Sequence, residues 1–442
     1  MTNTIGRSHL DIDLSAGDGI DLALQLETGV GLTPEGRIDH PTFFSGMLAR
    51  PDVTAAGILA VADVATTTYL DLSALAATRD PVVTASGDRL RFESFSGCNG
   101  VHARYDLLSA GIDAGEVGFG TTNVDINPPL RDALAALPRT ALMHLAVGPD
   151  ALVVSTPEHT HEERQVDLPS RWVRGFAEVP VIMHAMTRVA EVPGTRAMAF
   201  LAGLPRTAPG PTVAVVQAAR GLATTAPGTP GSATLAGTAR LTSLRRVMRH
   251  IERLNVFGHP SGASAWVADL RGARMTLVLS PQPYRGFSGE GQLLDDLAGS
   301  DSPQDADQVL ECLAWEPVID QTWLSLETGL SERRVTSALA VLAASGKVGY
   351  DLSEGTWFHR EIPFDVDAVE RDHPRLRAAR ALVASGAVAR TGDRWTVDDG
   401  GHRHWVTLGD TSPTCSCRWF VRYQGGRGHC SHILAALISS GQ

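Results

Sequence analysis

The residues best equipped for chemistry lie near the C-terminus, between Cys415 and His432. The stretch CSCRWFVRYQGGRGHCSH holds three of the five cysteines in 442 residues. They come as Cys-x-Cys, twelve residues, then Cys-x-His. Cys415, Cys417, Cys430 and His432 therefore offer three thiolates and an imidazole, a complete soft donor set for one closed, structural Zn2+ ion. A disulfide is disfavoured, because a Cys-x-Cys pair cannot easily close on itself and the first residues lack the basic-then-apolar order of a secretory signal. His402, His404 and His429 stand close enough to compete as ligands, and are read as surface or packing histidines.

Four ligands need elements to aim them. Val406 to Leu408 reads as a strand running into the site, and residues two apart, such as Cys415 and Cys417, leave one face of a strand. Gly425, Gly426 and Gly428 give a return where positive φ costs little. Ser431 is a helix-start residue ahead of the apolar run Ile433–Ile438. The expected unit is ββα. Arg418, Arg422 and Arg427 lie between the ligand pairs, interleaved with Trp419, Phe420 and Tyr423, and residues 411–442 contain no acidic side chain. Basic residues beside aromatic ones can hold a single nucleic-acid strand. The plainer alternative makes the aromatics a miniature core over the metal.

The pattern CxCx(n)CxH at Cys415, Cys417, Cys430 and His432 resembles the SWIM zinc finger. That resemblance implies a DNA-binding or protein-interaction module without a catalytic role.

The whole chain has room for about three domains. It is 43% hydrophobic and 20% charged, an ordinary globular composition. No apolar run approaches the ~18 residues of a membrane helix. Thiol ligands and no paired cysteines fit a reducing, cytoplasmic setting. The net charge of −11 argues against polyanion binding over the whole surface, so any nucleic-acid contact must come from a local patch.

The expected fold class is α+β and multidomain: β-rich N-terminal layers, a winged helix-turn-helix, and the finger. The expected divisions are an α+β domain at 1–130, a β-rich α+β domain at 131–300, a winged-helix domain at 301–365, and a connecting helix with the finger at 366–442. In the first, Pro51 opens a helical run that ends near Tyr69 and Leu70, and Arg89–Glu93 and His102–Leu107 read as strands around the turn cluster Ser96–Gly100. Cys98, Asn99, Asn123, Asp125 and Asn127 would make a polar pocket, but no nucleophile and base can be paired there, and turn residues are the simpler reading. In the second, Ala141–Val147 and Ala151–Thr156 form a hairpin, Thr212–Ala226 reads as one strand, Leu244–Leu254 as one amphipathic helix, and His159, His161, Glu162 and Glu163 as a solvated loop. Phe95-Ser96-Gly97 recurs as Phe287-Ser288-Gly289, weak support for a duplication.

Residues 303–362 are the clearest. Helices over Asp307–Ala314, Gln321–Thr328 and from Ser331, followed by strands Val348–Leu352 and Thr356–Arg360, give the order of a winged helix-turn-helix. Its third helix would ordinarily enter a DNA major groove. Between Asp301 and Asp365, however, four basic residues face twelve acidic ones, a net of −8, and such a module is repelled by phosphate. Arg333 and Arg334 make a small patch at the start of the third helix.

Beyond the finger the chain resembles one bacterial family of SWIM zinc-finger proteins. The stretches that carry this are HPTFFSGML from His40, Asp80 to Leu108, FGTTNVDINPPLRDAL, LPSRWVRGF, Leu279 to Gly291, LAWEP and GYDL. Proteins of this type occur in gene neighbourhoods with a MoxR-like AAA+ ATPase and a von Willebrand factor A (VWA) protein. The resemblance implies a component of an ATPase-centred assembly and transfers only the four zinc ligands. With no phosphate loop, Ser/His/Asp order or HExxH, the expected function is a non-enzymatic zinc-binding adaptor. The competing expectations are nucleic-acid binding through the finger and the winged helix, and a hydrolase built on Cys98 or the Asn123–Asn127 segment.

Overall fold

The computed structural model describes residues 30–33, 36–39, 42–67, 81–166, 168, 170–205, 210–283, 285–287, 302–362, 374–409, 413–424 and 428–440. The expected end of the first helical run at Tyr69 and Leu70, the glycines Gly425 and Gly426, and Arg427 lie outside them. The architecture is α+β.

A short hairpin, β1 (Val30–Thr33) and β2 (Gly36–Asp39), precedes β3 (Phe44–Leu48) and helix α1 (Pro51–Thr66). Then come β4 (Val82–Ser86), β5 (Arg89–Phe95), β6 (Val101–Leu108), β7 (Ile112–Val117), β8 (Phe119–Asn123) and α2 (Pro128–Ala136). A meander follows, β9 (His144–Val147), β10 (Ala151–Ser155) and β11 (Thr160–Arg164), and then α3 (Ser170–His184), β12 (Thr187–Pro193) and α4 (Gly194–Gly203). The segment closes with β13 (Thr212–Ala218), β14 (Gly221–Thr225), β15 (Ala233–Ala236), α5 (Leu244–Val247), β16 (Ile251–Gly258), β17 (Ser264–Leu270) and β18 (Ala273–Leu279).

The organising layer is an eight-stranded antiparallel sheet, ordered β12-β16-β17-β18-β6-β5-β4-β8. The expected division at residue 130 falls inside this sheet. Strands β6 and β18, one from each side of it, pair along their length from Leu107↔Ala273 to Val101↔Leu279. Smaller sheets, β11-β10-β9-β3-β7 and β14-β13-β15, pack around it.

Strands β5 and β6 are buried on both faces. Leu90 and Phe92, with Ala103, Tyr105 and Leu107, join the main apolar core with α1. At Gly57, α1 comes so close that a Cβ would meet the Tyr105 ring at 2.2 Å, which is why an otherwise helix-weakening glycine sits there.

Three expectations change. The Leu244–Leu254 helix stops after one turn of α and one of 3-10 helix, and Ile251 starts β16, because Leu254 and Val256 are taken into register with Ala268 and Trp266 of β17. Long-range pairing overrides the local helical period. The single strand over Thr212–Ala226 is a hairpin that turns before Gly221. His161, Glu162 and Glu163 are not a loop but part of β11, paired with Val154, Val153 and Leu152 of β10.

Residues 302–362 run α6 (Ser302–Cys312), α7 (Gln321–Thr328), α8 (Glu332–Ala344), β19 (Val348–Asp351) and β20 (Thr356–His359). The caps follow from residue type: Asp320 accepts from the amides of Thr322 and Trp323, Ser331 from that of Arg334, and Gly329 ends α7 at φ 70°. This unit shares an apolar core with α3 and covers the other face of the eight-stranded sheet.

That face is charged. Arg91, Glu93, His102, Arg104 and Asp106 are all buried, and the register sets Arg91 against Asp106 and Glu93 against Arg104. The β19–β20 hairpin completes their pairing. Asp351 meets Arg104 at 3.1 Å and Arg274 at 3.2 Å, Glu354 meets Arg89 at 2.5 Å, and Arg360 meets Glu93 at 2.6 Å. Phe358 slides beneath the Arg91 guanidinium, 3.7 Å from the ring centre. Four arginines overcome the cost of burying Asp351 and hold its carboxyl down at about 2.

The C-terminal region consists of α9 (Pro374–Ala384), β21 (Val388–Thr391), β22 (Arg394–Asp399), β23 (His402–Thr407), β24 (Thr414–Cys415), α10 (Arg418–Tyr423) and α11 (Ser431–Ser440). The strands form one antiparallel sheet in chain order. The expected ββα unit is thus enlarged: two more strands precede it, and the short helix α10 fills the span between the ligand pairs.

Candidate metal centre

Cys415 ends β24, paired with Val406 on β23. Cys417 is the N-cap of α10, Cys430 immediately precedes α11, and His432 sits in its first turn. All four side chains are buried, and their donor atoms lie within 4.8 Å of one another. Zinc bonds of ordinary length span a tetrahedron with edges of about 3.5–3.8 Å. The Cys415 Sγ to His432 Nδ1 separation is 3.8 Å. The donors therefore fit a zinc ion, held by three sulfurs and Nδ1.

The surroundings suit thiolate ligands. The amide of Cys417 donates to Cys415 Sγ at 3.4 Å, and that of Phe420 donates to Cys417 Sγ at 3.4 Å. Hydrogen bonds from the Cys415 and Cys430 thiols hold Cys417 far below the usual thiol range, while the reciprocal bond to Cys417 drives Cys415 up. Burial opposes a charge on His432, but hydrogen bonds to Cys417, Cys430 and Asp399 outweigh it and push its pKa up to about 10. Zinc ligands must be deprotonated, so binding of a divalent cation here would release protons.

His432 Nε2 faces Asp399 Oδ2 at 3.2 Å. A carboxylate there fixes the imidazole tautomer, leaves Nδ1 for the metal and raises its basicity. Sequence reasoning missed Asp399. It stands 33 residues before His432, at the end of β22, and only the β22–β23 pairing, Asp399↔His402, delivers it. His404 packs on His432 with ring centres 4.1 Å apart, and with Asp399 forms the outer wall of the site.

The aromatics divide their roles. Trp419 and Phe420 pack against a small core of Val397, Val406, Ile433, Ala436 and the three cysteines. Arg375 of α9 stacks over Trp419 at 4.8 Å and donates to the His429 carbonyl at 2.6 Å. A cleft of about 550 Å3 opens beside the ligands, lined also by Arg375, His404, Arg418, Trp419 and Ser431. Arg418 and Arg422 are exposed on α10. On α8, Arg333 is exposed, whereas Arg334 makes a two-pronged pair with Asp305 at 2.6 and 2.8 Å. Asn127 binds Glu163 at 2.6 Å, joining two polar segments the sequence kept apart, and Cys98 Sγ lies 3.4 Å from Ser96 Oγ.

Residues 404–441 match the SWIM zinc finger family model. The match covers all four ligands and Trp405 to Ser440 around them, so the chain carries a SWIM zinc finger. No curated protein matches the chain. Among solved structures, it is similar to proliferating cellular nuclear antigen from Entamoeba histolytica at 10% identity, over 55% of this chain and 99% of that one, with a TM-score of 0.39. Among the described residues, no helix is long and apolar enough to cross a membrane.

Proposed function

We propose that this chain is a zinc-stabilised, non-enzymatic interaction protein whose finger and helical module present surfaces to other macromolecules. The observation that carries the reading is the fate of the β19–β20 hairpin. Read as the wing of a winged helix, it has its acidic turn spent on the sheet, Asp351 and Glu354 against Arg89, Arg104 and Arg274. A wing used as an internal strut leaves the module to dock proteins. With Arg334 bound to Asp305, little basic surface remains at the start of α8 to meet phosphate. The metal, one Zn2+ with four protein ligands, has a structural role in this reading, since a catalytic zinc keeps an open position.

On the strength of the family resemblance, the partners are a MoxR-like AAA+ ATPase and a VWA protein, met in the cytoplasm. Affinity capture of the full chain from its native host, with and without a chelator, tests this. Recovery of both partners, lost on chelation, supports it, and recovery of neither with zinc-loaded protein removes it.

A second reading has its own support. Arg418 and Arg422 stand on an acid-free segment, and Arg418 and Trp419 line one cleft, a combination that suits single-stranded nucleic acid. It requires measurable affinity near physiological salt and a negative slope of log K against log salt.

A further inference from the structure

Single exposed apolar side chains are ordinary; several on one helix face mark an interaction site. Among the described residues, such side chains gather around α7. Trp323 is 46% exposed and Leu326 80%, with exposed Val318 just ahead of the helix. Trp323, Leu326 and Glu327 stand at i, i+3 and i+4 and share one face. Its rim is acidic: Asp320 caps the helix one turn before Trp323, and Glu311 comes from the neighbouring α6. Burial, and then the charges of Glu327, Glu311 and Glu316, hold the Cys312 thiol above its ordinary range.

A surface of opposite character lies on α10. Arg418, Val421 and Arg422 repeat the same i, i+3, i+4 spacing, all exposed, with Val421 at 65%. No acidic residue occurs from 411 to 442 to offset the two arginines. One surface is apolar with an acidic rim, and the other is a pair of arginines flanking a single exposed valine. Both face solvent in the same molecule, so neither is covered by the other within one copy.

We propose that α10 of one copy docks on the α7 face of a second copy, head to tail. Arg418 and Arg422 meet Asp320, Glu311 and Glu327, while Val421 sits against Trp323 and Leu326. Opposite charge speeds the encounter, and the apolar centre slows departure. Because the two faces differ, each docked pair leaves one α10 and one α7 face open, so association continues into a ring or an open row. The proposal is independent of whether an ATPase or VWA partner binds.

Sedimentation velocity on the zinc-loaded full chain tests it, in about 50 mM and about 500 mM salt. The expected result is a weight-average sedimentation coefficient that climbs with concentration in low salt and falls back in high salt. Leu326→Arg and the double change Arg418→Glu with Arg422→Glu each disable one face. Each variant alone should sediment as a monomer. Their equimolar mixture should form a 1:1 dimer and nothing larger, since only one α10 and one α7 face stay intact. Wild-type protein that remains monomeric at the highest concentration in low salt overturns the proposal, as does a mixture that stays monomeric. A monomer that instead binds a single-stranded oligonucleotide through Arg418 and Arg422 assigns α10 to nucleic acid and overturns it too.

Discussion

Two polar clusters hold this molecule together, and they were built in opposite ways. The donor set of the finger comes from 18 consecutive residues, Cys415 to His432. The charged layer under the β19–β20 hairpin joins residues 267 apart, Glu93 and Arg360, through two strand registers and a helical module. The finger's donors are set out to take an external cation, whereas the layer is balanced by internal pairing. Clusters of the first kind announce themselves in residue spacing, and those of the second exist only once the chain has folded.

The contrast is open to experiment, beginning with the metal. Cys415→Ser, or a strong chelator, removes a binding free energy on the order of 10 kcal/mol in small zinc domains. Hydrogen exchange should then show β22 to α11 unprotected, with β5 and β6 still slow. Zinc retention in Cys415→Ser at one equivalent would mean that another group, such as His404, completes the site. Next in size, Asp351→Ala strands Arg104 and Arg274 against a buried face and should cost about 3–5 kcal/mol in chemical denaturation. Substituting apolar residues for the whole set should be far milder than that single loss.

Acid separates the two clusters by sign. Asp351 and Glu93 both have folded pKa values below their usual range: burial alone would raise them, but Arg104 and Arg360, respectively, lead the opposing arginines. Their stabilisation is therefore complete above about pH 5 and is lost as pH falls through about 2 and below. Protons compete for the zinc ligands at milder acidity. A dye that reports free zinc should respond at higher pH than near-UV circular dichroism of the core, and coincident transitions would count against separate clusters. The smallest effect is Asp399→Asn, which should weaken zinc binding about 10–100-fold without unfolding the chain.

How much of this the sequence disclosed follows from the same contrast. Gly329 and Ser331 punctuate the middle of residues 302–362 by local rules, and helices Gln321–Thr328 and Glu332–Ala344 lie where those signals put them, whereas the first helix begins at Ser302, five residues before its expected start at Asp307. The four zinc ligands were equally plain. The alternation in Arg89–Glu93 and the returning stretch His102–Leu107 identified the strands Arg89–Phe95 and Val101–Leu108 but hid their setting, because a polar face usually means water. Here a second layer supplies the counter-charges, and no local pattern tells the two situations apart. Asp399 was invisible for a related reason, since a hairpin register brings it to His432.

Helix α11 has one further consequence. Ile433 and Ala436 belong to the finger's own core, while their neighbours Leu434 and Ala435 lie in the large core with Val335 and Leu339. Heat must therefore disturb both neighbourhoods whenever that one helix frays. Stripping the ion should lower the melting temperature of the body as well as the tail, so that a loss at the rim of the molecule is felt at its centre.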